Sequence, residues 1–153
     1  MSETHEVIKK LQFKDRGQPV LIVNAPQAYD EVIRSFNGVV HQETANGTYE
    51  FVQVFGTTNE ELRALARGVA GAAEEDGLLW LCYPKKSSKT YKGSDCSRES
   101  VAGLLADDGF EPVRQIAIDG DWSALRFRRV EKIKNMVRKF AVTEAGKKRT
   151  EQE

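Results

Sequence analysis

Ten residues near the middle of the chain concentrate groups that could bind an anion. They are Tyr83-Pro84-Lys85-Lys86-Ser87-Ser88-Lys89-Thr90-Tyr91-Lys92. Lysine ammonium groups and serine hydroxyls donate hydrogen bonds, and phosphate oxygens accept them. The stretch therefore predicts a site for a phosphate-bearing small molecule or nucleic acid, with these ligand-binding residues: Lys85, Lys86, Ser87, Ser88, Lys89 and Arg98.

The local charge favours that prediction. Between residues 85 and 98 five cations are opposed by Asp95 alone, which gives a balance of +4. The whole chain has 23 lysines and arginines and 23 acids, so no global field draws it to nucleic acid or membrane. The alternative is a solvated loop whose lysines serve solubility.

Cys96 and Ser97 follow the lysines directly. Ser97 is a predicted helix N-cap, and the helix dipole would favour an anion there. Cations and a helix start lower the pKa of a thiol, but no histidine lies close in sequence, and a packing role is favoured for Cys96. The two cysteines and two histidines do not form a metal-ligand pattern, so we predict no metal site and no catalytic residue.

The elements that position the lysines begin with the apolar run Leu78-Leu79-Trp80-Leu81-Cys82, which predicts a buried strand. In open α/β sheets ligands bind beyond the carboxyl ends of the strands. We therefore expect the binding site directly after this strand.

Strands alternate with helices along the rest of the chain. Asn46-Gly47 is a predicted turn between two runs that form either a hairpin or parallel neighbours, and Asp119-Gly120 predicts a tight hairpin turn that uses positive φ values. Predicted strands cover residues 19–23, 39–43, 49–55, 78–83, 112–118 and 122–127, and predicted helices cover about 4–12, 26–36, 58–75, 97–106 and 130–142.

This order predicts an α/β fold with a Rossmann-like, mostly parallel sheet covered by helices and a C-terminal antiparallel β-hairpin. We expect one domain, 1–145, with its core at 19–129, a terminal helix at about 130–142 and a disordered tail at 146–153. No run of about 18 apolar residues could span a bilayer and the first residues are polar, so a cytoplasmic protein is expected.

The order of elements from residue 77 to residue 128 resembles the C-terminal half of class I S-adenosylmethionine methyltransferases. More specifically, YPKKSS (83–88) with WSALRFR (122–128), and VNAP (23–26) near the start, resembles a bacterial family of small proteins classed as a domain of unknown function. The resemblance covers residues 19–129 and implies a shortened methyltransferase-like fold without an established activity.

The chain departs from methyltransferases at two places. The turn after the first strand, Val23-Asn24-Ala25-Pro26-Gln27, has no glycine to let the backbone approach a cofactor. Glu43 is the one candidate for the ribose acid after the second strand, and a solvated surface role is favoured for it. We therefore predict no cofactor.

Three functions remain open. The leading prediction is a non-enzymatic module that binds an anion or a phosphate-bearing ligand, and the alternatives are a transferase with a non-standard cofactor site and an interaction subunit of a larger assembly. Trp122 and Arg126 share one face of their strand and could stack on a base, although a core position is favoured for Trp122.

Overall fold

A mixed sheet forms the centre of the protein. The computed structural model describes residues 5–44 and 48–130, without the side chains of residues 75 and 76. The strands within these ranges follow the spatial order β2-β1-β3-β4-β6-β5. They are β1 (Val20–Val23), β2 (Val40–His41), β3 (Tyr49–Phe55), β4 (Ala73–Pro84), β5 (Phe110–Ala117) and β6 (Trp122–Arg129). The first four pair in parallel, and β6 pairs antiparallel with both of its neighbours, β4 and β5. The predicted Rossmann-like α/β class is confirmed.

Helices cover both faces of the sheet. One apolar cluster lies under α3 (Asn59–Val69) and α4 (Arg98–Ala102). The other lies under α1 (Glu6–Lys10) and α2 (Asp30–Arg34). Short 3₁₀ turns occupy Gln27–Tyr29, Ala70–Ala72 and Ala106–Asp108. None of the helices in residues 5–44 and 48–130 has the length and apolar character of a membrane span.

Neither predicted arrangement of the second and third strands is correct. Strand β1 separates them, since Val20 pairs with Val40 of β2 and Leu21 pairs with Val52 of β3, both in parallel. The four residues of β1 are apolar and buried on both faces, which suits a strand inside a sheet rather than at its edge. The predicted turn at Asn46-Gly47 lies outside the described residues, as do the terminal helix after residue 130 and the tail.

Helix α3 ends earlier than its apolar spacing predicts. The helix stops at Val69, and Ala73 already belongs to β4. Strand β4 then continues through Gly77, where the sequence predicts a stop. Tyr49 pairs with Ala73 and Phe51 pairs with Leu78, so β4 accommodates extra residues as a bulge. The bulge contains Asp76 and Gly77, residue types that in a sequence also indicate the end of a helix.

The antiparallel hairpin is confirmed, but its turn uses other chemistry than predicted. Gly120 does not have a positive φ. Instead, Asp119 Oδ1 accepts hydrogen bonds from the backbone N–H groups of Asp121 (2.8 Å) and Trp122 (2.9 Å). An aspartate that bonds its own backbone in this way closes a turn without left-handed residues.

The predicted helix at residues 97–106 is also shorter in the structure. Helix α4 spans five residues and ends at Ala102, with Gly103 as its C-cap. A separate 3₁₀ turn follows, and Gly109 closes it with φ +83°, a conformation that glycine adopts at little cost. Leu105 nevertheless remains fully buried, because the 3₁₀ turn keeps it on the core side.

The topology determines which segments lie at the carboxyl ends of the parallel strands. The carboxyl ends of the four parallel strands lie along one edge. Strand β6 starts at the same edge, with Trp122 opposite Pro84. The segment that follows β4 and the turn that precedes β6 are therefore neighbours in space.

Candidate functional site

The hairpin turn, residues 118–121, holds the lysine loop, residues 85–97. The backbone N–H of Lys85 donates to the carbonyl of Asp121 at 2.8 Å. The Ser88 hydroxyl donates to the Asp121 carboxylate at 2.8 Å and accepts from the Tyr91 N–H at 3.1 Å. Only 3% of Ser88 is exposed. These bonds to the hairpin turn give the first half of the loop a defined shape.

An aromatic contact fixes the next part of the lysine loop. The ring of Tyr91 lies edge-on to Trp122, with 5.0 Å between centroids, and Trp122 lies edge-on to Phe55 at 5.2 Å. Trp122 is buried, so it belongs to the core, as favoured from the sequence. It is not a free platform on which a base could stack.

Two cavities open on either side of Lys85 and Lys86, and both residues line both cavities. The first cavity, of about 370 Å³, extends towards Tyr91, Lys92 and Asp95. The second cavity, of about 320 Å³, is also lined by these residues: Arg98, Glu99, Tyr83, Gln115 and Ser123. Both are open to solvent, and their volumes are in the range of small-molecule sites.

The structure brings together only part of the predicted site. Lys85 and Lys86 line both cavities, and Arg98 lines the second. Ser87 and Lys89 are exposed and belong to neither lining. The hydroxyl of Ser88 is engaged within the loop.

The fold weakens the charge excess that the sequence predicts. Asp121 contacts the lysine loop directly. Glu99 lines the second cavity, and its pKa is lowered by its own backbone N–H, with Lys86 and Arg98 acting in the same direction. With these two acids included, five cations meet three carboxylates and the local balance falls from +4 to +2. The site is mixed in charge rather than strongly cationic.

Lys85 is the cation placed best to meet a ligand. Its side chain is half-buried and lines both cavities. Within residues 5–44 and 48–130, no carboxylate forms an ion pair with it. A partly desolvated ammonium group without a counter-ion favours the binding of an anion.

The start of α4 offers an anion fewer free N–H groups than the predicted helix N-terminus would. Ser97 and Ser100 form a capping box, in which Ser97 Oγ accepts from the Ser100 N–H and Ser100 Oγ accepts from the Ser97 N–H. The helix has only five residues, and its Ser100 and Val101 N–H groups already have acceptors within the cap. The cap serves the helix itself.

Cys96 has the packing role favoured from the sequence. Its side chain is 3% exposed and belongs to the core cluster under α3 and α4. Burial raises the pKa of the Cys96 thiol, whereas the sequence pattern alone would lower it. A protonated buried thiol is a poor nucleophile.

Tyr83, Gln115 and Ser123 were not predicted as site residues. Tyr83 of β4 is directly opposite Ser123 of β6, and Gln115 Nε2 of β5 donates to the Tyr83 hydroxyl at 3.0 Å. Strand alternation places Ser123 on the same face as Leu125 and Phe127. The register across three strands is required to see that this face also carries Tyr83.

The ends of β1 and β3 form the topological switch point, where a Rossmann-like fold would hold a cofactor. Asn24 adopts φ +61° and so provides the left-handed turn without a glycine. Its Nδ2 donates to the Phe55 carbonyl at 2.9 Å. This amide bridges the two strand ends at the place of a glycine-lined cradle, so the residues present do not fit an S-adenosylmethionine cofactor in the usual manner. Glu43 follows β2 and is exposed.

The chain has a Rossmann-like α/β fold, and the solved structures that it resembles include methyltransferases. No protein-family model matches the chain, and no curated protein matches its sequence. Among solved structures, the mitomycin 7-O-methyltransferase MmcR is similar, with a TM-score of 0.57, 12% identity and coverage of 82% of this chain and 53% of that chain.

The M1A22 tRNA methyltransferase TrmK of B. subtilis is similar with a TM-score of 0.50 and 5% identity, over 83% of this chain and 66% of that chain. The chain thus spans between half and two thirds of the length of these two proteins. At such identities the similarity establishes the fold and leaves the activity to be argued from the site.

Proposed function

We propose that the protein is a methyltransferase-like transferase with a non-standard ligand site, formed by the two cavities at the carboxyl end of β4. The fold supports a transferase, and both cavities lie at the edge where ligands bind in such sheets. We also propose, from the motifs YPKKSS and WSALRFR, that the chain belongs to the bacterial family of small proteins that it resembles.

The observation that carries the proposal is the position of Lys85. This half-buried cation lines both cavities, and no carboxylate of the described residues pairs with it. A ligand with an anionic group at Lys85 and Lys86 would extend into one or both cavities. The two cavities beside Lys85, rather than the switch point at the ends of β1 and β3, then determine which ligand binds.

A non-enzymatic module that binds a phosphate-bearing small molecule or nucleic acid is the second candidate. The same cations favour it. The balance of +2, with Glu99 and Asp121 beside the lysines, makes it weaker than the sequence suggests, because carboxylates repel a polyanion. An interaction subunit remains the third candidate.

Isothermal titration and thermal shift with S-adenosylmethionine and S-adenosylhomocysteine test the transferase. We expect binding to the wild-type protein and a loss of about tenfold or more in the double variant Lys85→Ala with Lys86→Ala, since a hydrogen bond to a charged group contributes about 1.5–3 kcal/mol. Lys89→Ala is the matched control, because it removes a lysine of the same loop that lines neither cavity.

The outcomes separate the candidates. Absence of heat and of thermal shift at millimolar cofactor contradicts the transferase. Binding of a short RNA or of AMP at low salt, weakened by the double variant and not by Lys89→Ala, then supports the non-enzymatic module. Equal effects of all lysine variants on RNA indicate a diffuse electrostatic attraction and no site.

A further inference from the structure

The second cavity contains a buried phenol whose hydrogen has no acceptor. Tyr83 is 3% exposed, and its oxygen accepts the Gln115 amide N–H at 3.0 Å. A tyrosine hydroxyl also donates one hydrogen bond, and among the described residues nothing accepts from Tyr83. Because Gln115 occupies one side of the oxygen, the hydrogen is free for another partner.

Ser123 places a second hydroxyl in the same cavity. The residue is 6% exposed and lies opposite Tyr83 in the pairing of β4 with β6. Within the described part of the chain no group bonds to its hydroxyl. The residue lines a cavity that Lys85 also lines, so its hydroxyl is available to a ligand there.

We infer that Tyr83 and Ser123 form an oxyanion subsite with Lys85, which takes a phosphate monoester or carboxylate of the ligand. All three groups can donate hydrogen bonds, and oxyanions offer several acceptor positions. The inference rests on the proposed ligand site and specifies its chemistry. The ligand carries a small oxyanion, and the two hydroxyls donate hydrogen bonds to its oxygens.

The ionisation state of the phenol agrees with a donor role. Burial raises the pKa of Tyr83, and the nearby Arg98 acts in the opposite direction. The phenol therefore keeps its proton at neutral pH. Lys86 and Arg98 also line this cavity together with Glu99, so with Lys85 the cations outnumber the carboxylates there.

Titration with ribose 5-phosphate, gluconate and ribose tests the subsite. The first two probes distinguish a phosphate from a carboxylate, and ribose has no charge. We expect one of the two anions to bind and ribose not to bind. Tyr83→Phe and Ser123→Ala should each weaken that binding about tenfold, as expected for a lost hydrogen bond to a charged group.

A matched control separates the subsite from general effects. Ser87→Ala removes an exposed hydroxyl of the same loop that lines neither cavity, so it should not change the affinity for the anion. A thermal melt of each variant verifies folding. Ser123→Ala deletes one atom without disturbing Gln115, so it remains informative if Tyr83→Phe is destabilised.

Two results overturn the subsite. One is wild-type protein that binds neither anion at low-millimolar concentration. The other is an anion whose binding falls in the Lys85→Ala and Lys86→Ala double variant but not in Tyr83→Phe or Ser123→Ala. If either result is found but the wild-type protein still binds S-adenosylmethionine or S-adenosylhomocysteine, only the subsite is contradicted and the proposed transferase stands. If the wild-type protein binds the anion but neither of these two compounds, only the transferase is contradicted.

Discussion

At the carboxyl ends of the strands, a single asparagine takes the role that glycine usually has in this kind of fold. Asn24 provides the left-handed turn after β1, and its amide bonds across to β3. The lack of a glycine in the turn after β1 is readable from the sequence. The amide bridge itself was not predictable, because it depends on how closely the ends of β1 and β3 approach.

Substitutions at Asn24 should separate its conformation from its hydrogen bond. Asn24→Ala should lower the free energy of unfolding by about 1–2 kcal/mol, since alanine pays for the left-handed conformation and lacks the amide. Asn24→Gly should lose about 1 kcal/mol or less, because glycine tolerates the same φ. Urea unfolding measures both, and equal stability of Asn24→Ala and wild type would contradict this account.

Elements were predictable to different degrees. Strands β1 and β6 follow their apolar patterns closely, because local spacing decides them. The end of α3 and the bulge in β4 depend on the pairing of β4 with β3, which no local pattern contains. The lysine loop directly follows β4, but its neighbour Asp121 comes from the hairpin turn, 33 residues after Ser88.

The lysine loop offers a matched pair of serines for a test at this scale. Ser88→Ala should lower the free energy of unfolding by about 1–3 kcal/mol, because it leaves the partly buried Asp121 carboxylate without its donor and the Tyr91 N–H without its acceptor. Ser87→Ala changes an exposed hydroxyl and should stay within about 0.5 kcal/mol of wild type. Chemical denaturation compares the two, and similar losses would mean that the loop is not held by Ser88.

The whole molecule combines two apolar layers with one buried polar chain. The Tyr29 hydroxyl donates to Gln53 Oε1 at 2.9 Å, and Gln53 Nε2 donates to the Cys82 sulfur at 3.3 Å. Burial raises the pKa of both Tyr29 and Cys82. The net charge and the parallel arrangement were readable from the sequence; this network was not, because an apolar strand pattern conceals Cys82 and Gln53.

Alkaline pH should destabilise the whole fold through these groups. Their folded pKa values lie above the unfolded ones, so their contribution is constant below about pH 8 and is lost as pH rises through the unfolded pKa of a thiol, about 8.5. At pH 10 the Cys82 thiol alone should reduce the free energy of unfolding by about 2 kcal/mol. Urea titrations at pH 7 and pH 10 measure the difference.

Cys82→Ala is the control for that measurement. The variant is less stable at both pH values because it leaves a gap in the core, but the fall between pH 7 and pH 10 should be smaller than in wild type by about the same 2 kcal/mol. An identical fall in the two proteins would assign the alkaline loss to other groups.

The partnership of β4 with β6 also sets an order of events during synthesis. Until the ribosome has released the chain through residue 129, β4 is an unprotected edge next to β3, with its buried residues Trp80 and Leu81 available to other nascent chains. Such edges promote aggregation. The hairpin therefore protects the growing polypeptide as well as completing the second cavity, and an interruption of translation before β6 would leave a product prone to self-association.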